Sequence, residues 1–258
     1  MKWLLNLMIS SLIFFPEKEF YADPRDLGLT GETVSITTRD GVRLSGWYLG
    51  APDSKATLLF FHGNAGNISG RLDKAKGWVE RGVSVFLVDY RGYGKSEGKI
   101  KKPEDLLEDA HAALAWLEEE RNIPAERIIL YGESIGSFPA TRLAREKHFV
   151  GLVLEAPFTT LLELARVHYA WVPEFLLKGF AMNNEEAISG AKAPVFILHG
   201  RQDEICPVAM GERLYELAPA PKEFFGVPGG SHNDLPEAAQ AAYFDNPFSF
   251  LARENGFR

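Results

Sequence analysis

Short unbroken apolar runs recur from Ala56 onward, and the stretches between them carry apolar residues at helical spacing. The runs are Thr57–Phe61, Ser84–Val88, Arg127–Tyr131, Val150–Glu155, Val195–Leu198 and Glu223–Val227. A strand with no polar face is buried on both sides, which calls for a parallel sheet with helical crossovers. Between the second and third runs, Pro103–Glu120 places Leu106, Leu107, Ala110, Leu114 and Leu117 on one helical face. Ahead of this region Glu32–Thr38 and Arg43–Leu49 alternate apolar with polar around Asp40-Gly41, the pattern of an antiparallel hairpin.

Two stretches stand outside this alternation. Residues 1–15 contain the apolar run Trp3–Phe15, short of the about 20 residues that a bilayer span needs. Wound as a helix, the run has Lys2, Asn6 and Ser10 on one face and a broad apolar face opposite, as in a membrane-interface helix or short anchor. A helix packed on the protein's own surface and an imperfect signal peptide stand as alternatives. If the run is an anchor, Lys2 favours an extracytoplasmic body; without one the protein is cytoplasmic. Residues 16–30, bracketed early by Pro16 and Pro24, read as a linker to a domain over 31–258. Within that domain, about 158–190 is longer than a simple crossover and rich in large apolar residues. It reads as a small helical cap whose His168, Trp171, Leu176 and Phe180 are candidate substrate contacts.

Composition narrows the function classes. A chain of 258 residues that is 46% hydrophobic and 24% charged buries one full α/β core. A formal charge of −7 with no long basic cluster disfavours nucleic acid as a partner. The single cysteine, Cys206, excludes an intrachain disulfide and a cysteine-rich zinc site. No histidine pair has a third ligand at metal-binding spacing, so neither a metal nor an organic cofactor is expected.

The candidate chemistry centres on Gly132-Glu133-Ser134-Ile135-Gly136, which follows a β-branched run and opens a helix. G-x-S-x-G in that setting is a nucleophile elbow, and its glycines admit a reversal too tight for side chains. A serine needs a base, and the base needs an orienting acid. Asp203 lies in the loop after Val195–Leu198 and His232 in the loop after Glu223–Val227, the chain order this architecture uses. Glu155 is the main rival acid. The oxyanion hole is expected from the backbone amides of Ile135 and Asn64, with the Asn64 side chain as a supplement. His62 and His199, each before a glycine, read as loop braces, and Asp89 with Arg91 as a bracing pair.

The motifs HGNAGN (62–67), DYRGYGKSEG (89–98), YGESIGS (131–137), EAPFTT (155–160), HGRQDEICP (199–207) and GGSHND (229–234) together resemble the α/β-hydrolase superfamily. More narrowly they resemble its bud-emergence-like branch, related to the α/β-hydrolase-domain protein depalmitoylases. The resemblance implies an eight-stranded, mostly parallel sheet, a Ser134/Asp203/His232 triad, and ester or thioester hydrolysis. It also implies an N-terminal hydrophobic segment at a membrane. Ser137, where the family often has a glycine, and Cys206, where an aliphatic residue is commoner, depart from the pattern.

The expected activity is serine hydrolysis of acyl esters, lipid-like or of short to medium chain, as in carboxylesterases and monoacylglycerol lipases. Acyl-protein thioesterase action is the alternative within the same chemistry, and a low-turnover ligand-binding module is the alternative of another class. Peptidase action is disfavoured by the lack of a gating domain. A neutral His232 must accept the serine proton, so hydrolysis measured across pH should fall on the acid side. A flat profile would remove His232 as the base.

Overall fold

Eight strands form one sheet: β1 (Gly31–Thr37), β2 (Arg43–Leu49), β3 (Ala56–Phe61), β4 (Val83–Val88), β5 (Ile128–Glu133), β6 (Gly151–Glu155), β7 (Val195–Gly200) and β8 (Lys222–Val227). The computed structural model describes residues 10–169, 171, 173–174 and 178–256. The spatial order is β1-β2-β4-β3-β5-β6-β7-β8. β1 pairs antiparallel with β2, and β2 antiparallel with β4; every other pairing is parallel. The eight-stranded, mostly parallel sheet expected from the sequence is therefore present.

Period-two geometry explains the unbroken apolar strands. In β3, Leu59 and Phe61 enter one core while Leu58 and Phe60 enter the other. β5 divides likewise, with Ile128 and Leu130 on one side and Ile129 and Tyr131 on the other. The first face is covered by α2 (Pro103–Ala115), α3 (Ser137–Ala144) and α6 (Val208–Leu217). The second is covered by α1 (Leu72–Val79), α7 (Leu235–Ala239) and α8 (Ala242–Asn255). α2 begins at Pro103, whose missing N–H costs nothing in a first turn, and it widens into a π-helical turn over Trp116–Glu120.

The segment after β6 holds α4 (Leu161–His168), capped by Thr160, and α5 (Asn184–Ile188), capped by Asn183. Asn184 pins its far end to the body, donating from Nδ2 to Ser137 Oγ (2.8 Å) and Phe158 O (2.9 Å). Ser137, the departure from the family pattern, thus has a buried partner. Most of the apolar run at the N-terminus, residues 1–9, lies outside the described residues. Among the described residues no helix is long and apolar enough to cross a membrane. The stretch read as a linker is strapped to the body. Phe20 sets its ring 4.6 Å from that of Trp47, and Asp23 caps a helical turn over Pro24–Leu27.

Leu130 is fully buried at the centre of β5, the strand that carries the elbow. Leu130→Ala should cost about 2–5 kcal/mol of unfolding free energy, read as a lower urea midpoint. Leu130→Ile should cost less than about 1.5 kcal/mol.

Candidate active site

β5 ends at Glu133, and the chain reverses through Ser134 into α3. Ser134 has φ +52°, the left-handed region that costs a side-chain-bearing residue roughly 1–2 kcal/mol. The reversal is imposed by close approach. A Cβ on Gly136 would lie 2.1 Å from Phe61 O, and one on Gly132 would lie 2.7 Å from Gly136 O. Only glycine fits either position, and the elbow is thereby pressed against the end of β3.

A chain of hydrogen bonds leads away from the serine. Ser134 Oγ is 3.1 Å from His232 Nε2, and His232 Nδ1 is 2.7 Å from Asp203 Oδ2. Asp203 Oδ1 accepts from the amides of Ile205 (2.9 Å) and Cys206 (2.7 Å). Burial opposes ionisation of Asp203, but hydrogen bonds from His199, His232 and the Cys206 amide hold its carboxyl well below the usual range. His199 Nε2 donates to Cys206 O at 2.7 Å and lies 3.3 Å from Asp203 Oδ2, so it braces the acid loop. Burial pushes the Cys206 thiol up, with the Asp203 charge adding to the effect, so the thiol stays protonated beside the serine.

The chain is similar to known proteins. The family model described as serine aminopeptidase, S33 matches residues 52–186, just over half of the chain. The chain belongs to this α/β-hydrolase family. An uncharacterised protein of Mycobacterium tuberculosis is 38% identical over 225 residues, covering 86% of this chain and 80% of that protein. The α/β hydrolase domain-containing protein WAV2 of Arabidopsis thaliana is 30% identical over 276 residues, covering 97% of this chain and 89% of its own. The fold matches that of the Pyrococcus furiosus esterase Pf2001 with a TM-score of 0.77 at 24% identity, covering 93% of this chain and 98% of that one.

Glu155 does not compete for His232 in this hydrolase. It accepts from Tyr131 Oη (2.5 Å), Tyr243 Oη (2.7 Å) and Lys74 Nζ (2.9 Å). Lys74 also reaches Glu133 Oε2 at 3.0 Å, and Arg71 donates to Glu133 Oε1 at 2.7 Å. Burial opposes the charge on Glu133, yet Arg71 and Lys74 together hold its carboxyl far below the usual range. The residue beside Ser134 is thus a buried anchor. Neither cation stood out in the sequence, because Arg71 and Lys74, three apart at the start of α1, look like a solvated face.

The loop after β3 lies against the elbow, since a Cβ on Gly63 would sit 2.7 Å from Glu133 Oε1. Arg71 donates to Ala65 O at 3.0 Å as well as to Glu133, joining loop to elbow. The Asn64 carbonyl accepts from Tyr93 Oη (2.7 Å) and the Phe15 amide (2.8 Å). Its side-chain Nδ2 donates to Ile13 O at 2.9 Å, committing one of its two N–H groups to the N-terminal segment. Ile135, the other expected donor, is buried at the start of the turn after Ser134. His62, at the root of the loop, has Nδ1 2.8 Å from Gly63 O, and burial pushes its imidazole down to about 3. Asp89 faces His62 Nε2 at 3.6 Å, and burial pushes its carboxyl up to about 7. Arg91 pairs with Asp40 and Asp109 and not with Asp89, so the bracing role holds with different partners.

The four substrate-contact candidates fare differently. His168 donates from Nε2 to Ile205 O at 2.7 Å, tying α4 to the acid loop. Trp171 is 80% exposed. Phe180 is buried with its ring centroid 6.5 Å from that of Phe14, so it packs as core. Leu176 lies outside the described residues. An open cleft of about 660 Å³ lies elsewhere, between β1 and α2, lined by Ile36, His111 and Trp116 among others.

Removing Lys74 strips Glu133 and Glu155 of a shared cation. Lys74→Met should destabilise by about 3–5 kcal/mol. A carboxylate held low contributes stability above its unfolded value and loses it on acidification, so the deficit should be full above pH ~5 and shrink below pH ~4. Urea unfolding of both proteins across pH 3–8 measures it, and a pH-independent deficit would refute the pairing.

Proposed function

We propose that this α/β-hydrolase is a serine hydrolase that cleaves carboxylic esters through an acyl-enzyme on Ser134. The observation that carries the reading is the hydrogen-bonded sequence Ser134 Oγ, His232 Nε2, His232 Nδ1, Asp203 Oδ2, at 3.1 and 2.7 Å. His232 Nε2 takes the proton as Oγ bonds to the ester carbonyl carbon, and the carbonyl oxygen becomes an oxyanion facing the Ile135 and Asn64 amides. As the tetrahedral adduct collapses, the C–O bond to the leaving group breaks and His232 returns the proton to the departing alcohol. Water then repeats the cycle on the acyl-enzyme, releasing the acid and restoring Ser134. Asp203, charged through the working pH range, holds the imidazole in the tautomer that leaves Nε2 bare.

Several features favour an acyl substrate with a long apolar half. Among the described residues, the exposed large hydrophobics are Leu12, Phe15 and Tyr21 on the N-terminal segment, Val167, Tyr169 and Trp171 after β6, and Ile205 beside the acid. His168 joins the second group to the third, and Phe14 with Phe180 joins the first to the second. This apolar rim suits a lipid or a membrane surface contacted through the N-terminal segment, with the body outside the cytoplasm if that segment is an anchor. An aminopeptidase, as the family's description suggests, requires a carboxylate for the substrate's ammonium. Glu133 and Glu155 are already paired with Arg71 and Lys74 and cannot serve. Thioesters share the acyl half and the same chemistry, and the P. furiosus neighbour is described as an esterase.

Ser134→Ala should abolish fluorophosphonate labelling and reduce ester turnover at least 10³-fold with the thermal midpoint little changed. Turnover of p-nitrophenyl esters and the matching thioesters should rise with chain length from two carbons upward. Full labelling of the variant sinks the serine assignment. Single-turnover behaviour with every ester would favour a binding module instead.

A further inference from the structure

From Ile13 to Tyr21 the N-terminal segment runs along the loop that bears Asn64. Two buried side chains anchor it at one end. Ser10 Oγ donates to Ile100 O at 2.6 Å, and Phe14 packs beside Phe180. From there the chain follows residues 64–69. Phe15 and Pro16 pair in parallel with Ala65 and Gly66. The Glu17 amide donates to Gly66 O at 3.0 Å, and Asn67 Nδ2 donates to Glu17 O (3.1 Å) and Glu19 O (2.7 Å). The Tyr21 amide donates to Ser69 Oγ at 2.9 Å. These contacts join residues about fifty apart in sequence, so no local turn chemistry would make them.

Asn64 is where the contacts converge. Its side chain is held by Ile13 O, and its carbonyl by the Phe15 amide and Tyr93 Oη. Fixing a residue's side chain and its carbonyl together leaves little freedom in its φ and ψ, and so sets where its own N–H points. A surface loop without such ties is mobile, and an oxyanion donor displaced by about 1 Å loses most of its effect. Arg71 holds the inner side of the same loop, through Ala65 O. The outer side is held by the arm.

We propose that residues 10–21 form an arm that positions the oxyanion hole, aiming the Asn64 N–H at the reacting carbonyl, so that loosening the arm lowers kcat and leaves KM in place. The proposal rests on the serine-hydrolase reading. Two full-length variants test it. Asn67→Asp keeps the Oδ1 acceptor that binds the Ser69 amide (3.0 Å) but removes the donor to Glu17 O and Glu19 O. Phe14→Ala unseats the arm's apolar anchor without touching the loop's hydrogen bonds.

Each variant should lower kcat on p-nitrophenyl acetate tenfold or more, with KM within twofold. The inhibition constant of a trifluoromethyl ketone, whose hemiketal oxyanion occupies the hole, should rise by the factor that kcat/KM falls. Amide exchange over 63–67 should quicken at least tenfold. A raised KM with kcat intact would overturn the proposal, because the arm would then be touching substrate. A lower thermal midpoint with kcat, ketone inhibition and exchange all unchanged would overturn it too, leaving the arm a merely structural strap. If the wild-type protein turns over no ester, the serine-hydrolase reading fails by itself, and the arm is judged on exchange alone. Unchanged exchange over 63–67 in both variants would then overturn it.

Discussion

The approach of Gly136 to the carbonyl of Phe61 is the constraint on which the site depends. It forces Ser134 into the left-handed region and packs the start of α3 against the end of β3. It also brings the loop that leaves β3 alongside Ser134. One contact between two backbones therefore fixes the serine, the turn carrying the Ile135 amide and the loop carrying the Asn64 amide relative to one another. The strain at Ser134 is small against the burial of β3 and β5 on both faces, so the sheet can hold it.

Around that contact the charges are arranged in two layers with different roles. His232 and Asp203, with His199 behind them, form the layer that reaches Ser134, and its carboxylate is kept ionised by donors. Arg71, Lys74, Glu133, Glu155, Tyr131 and Tyr243 form the layer beneath, which links α1, α8, β5 and β6. The lower layer tolerates little substitution because a buried charge stripped of its partner is costly.

Much of this was legible in the sequence wherever function demands a local pattern. Unbroken apolar strands, Asp40-Gly41 in the hairpin, G-x-S-x-G and the acid and histidine after successive strands are short-range signals, and the fold places all of them where they point. Contacts between distant segments carry no such signal. Phe180 has the size and apolarity of a substrate wall, yet Phe14 comes from the other end of the chain to bury it. Arg91 follows Asp89 by two residues, but its guanidinium turns to Asp40 and Asp109 instead. The stretch after residue 15 has the prolines and charges of a linker; its backbone groups are nevertheless taken up by Asn67 and Gly66.

The proposed acyl transfer through the hydroxyl of Ser134 can be caught in the act. The most direct measurement is acid-quenched intact-mass and peptide mapping of the enzyme during turnover of a p-nitrophenyl ester. An added acyl group should appear on the peptide containing Ser134 within the burst and decay as substrate is exhausted. Steady ester hydrolysis with no adduct on that peptide, or with the acyl group on another residue, would contradict it.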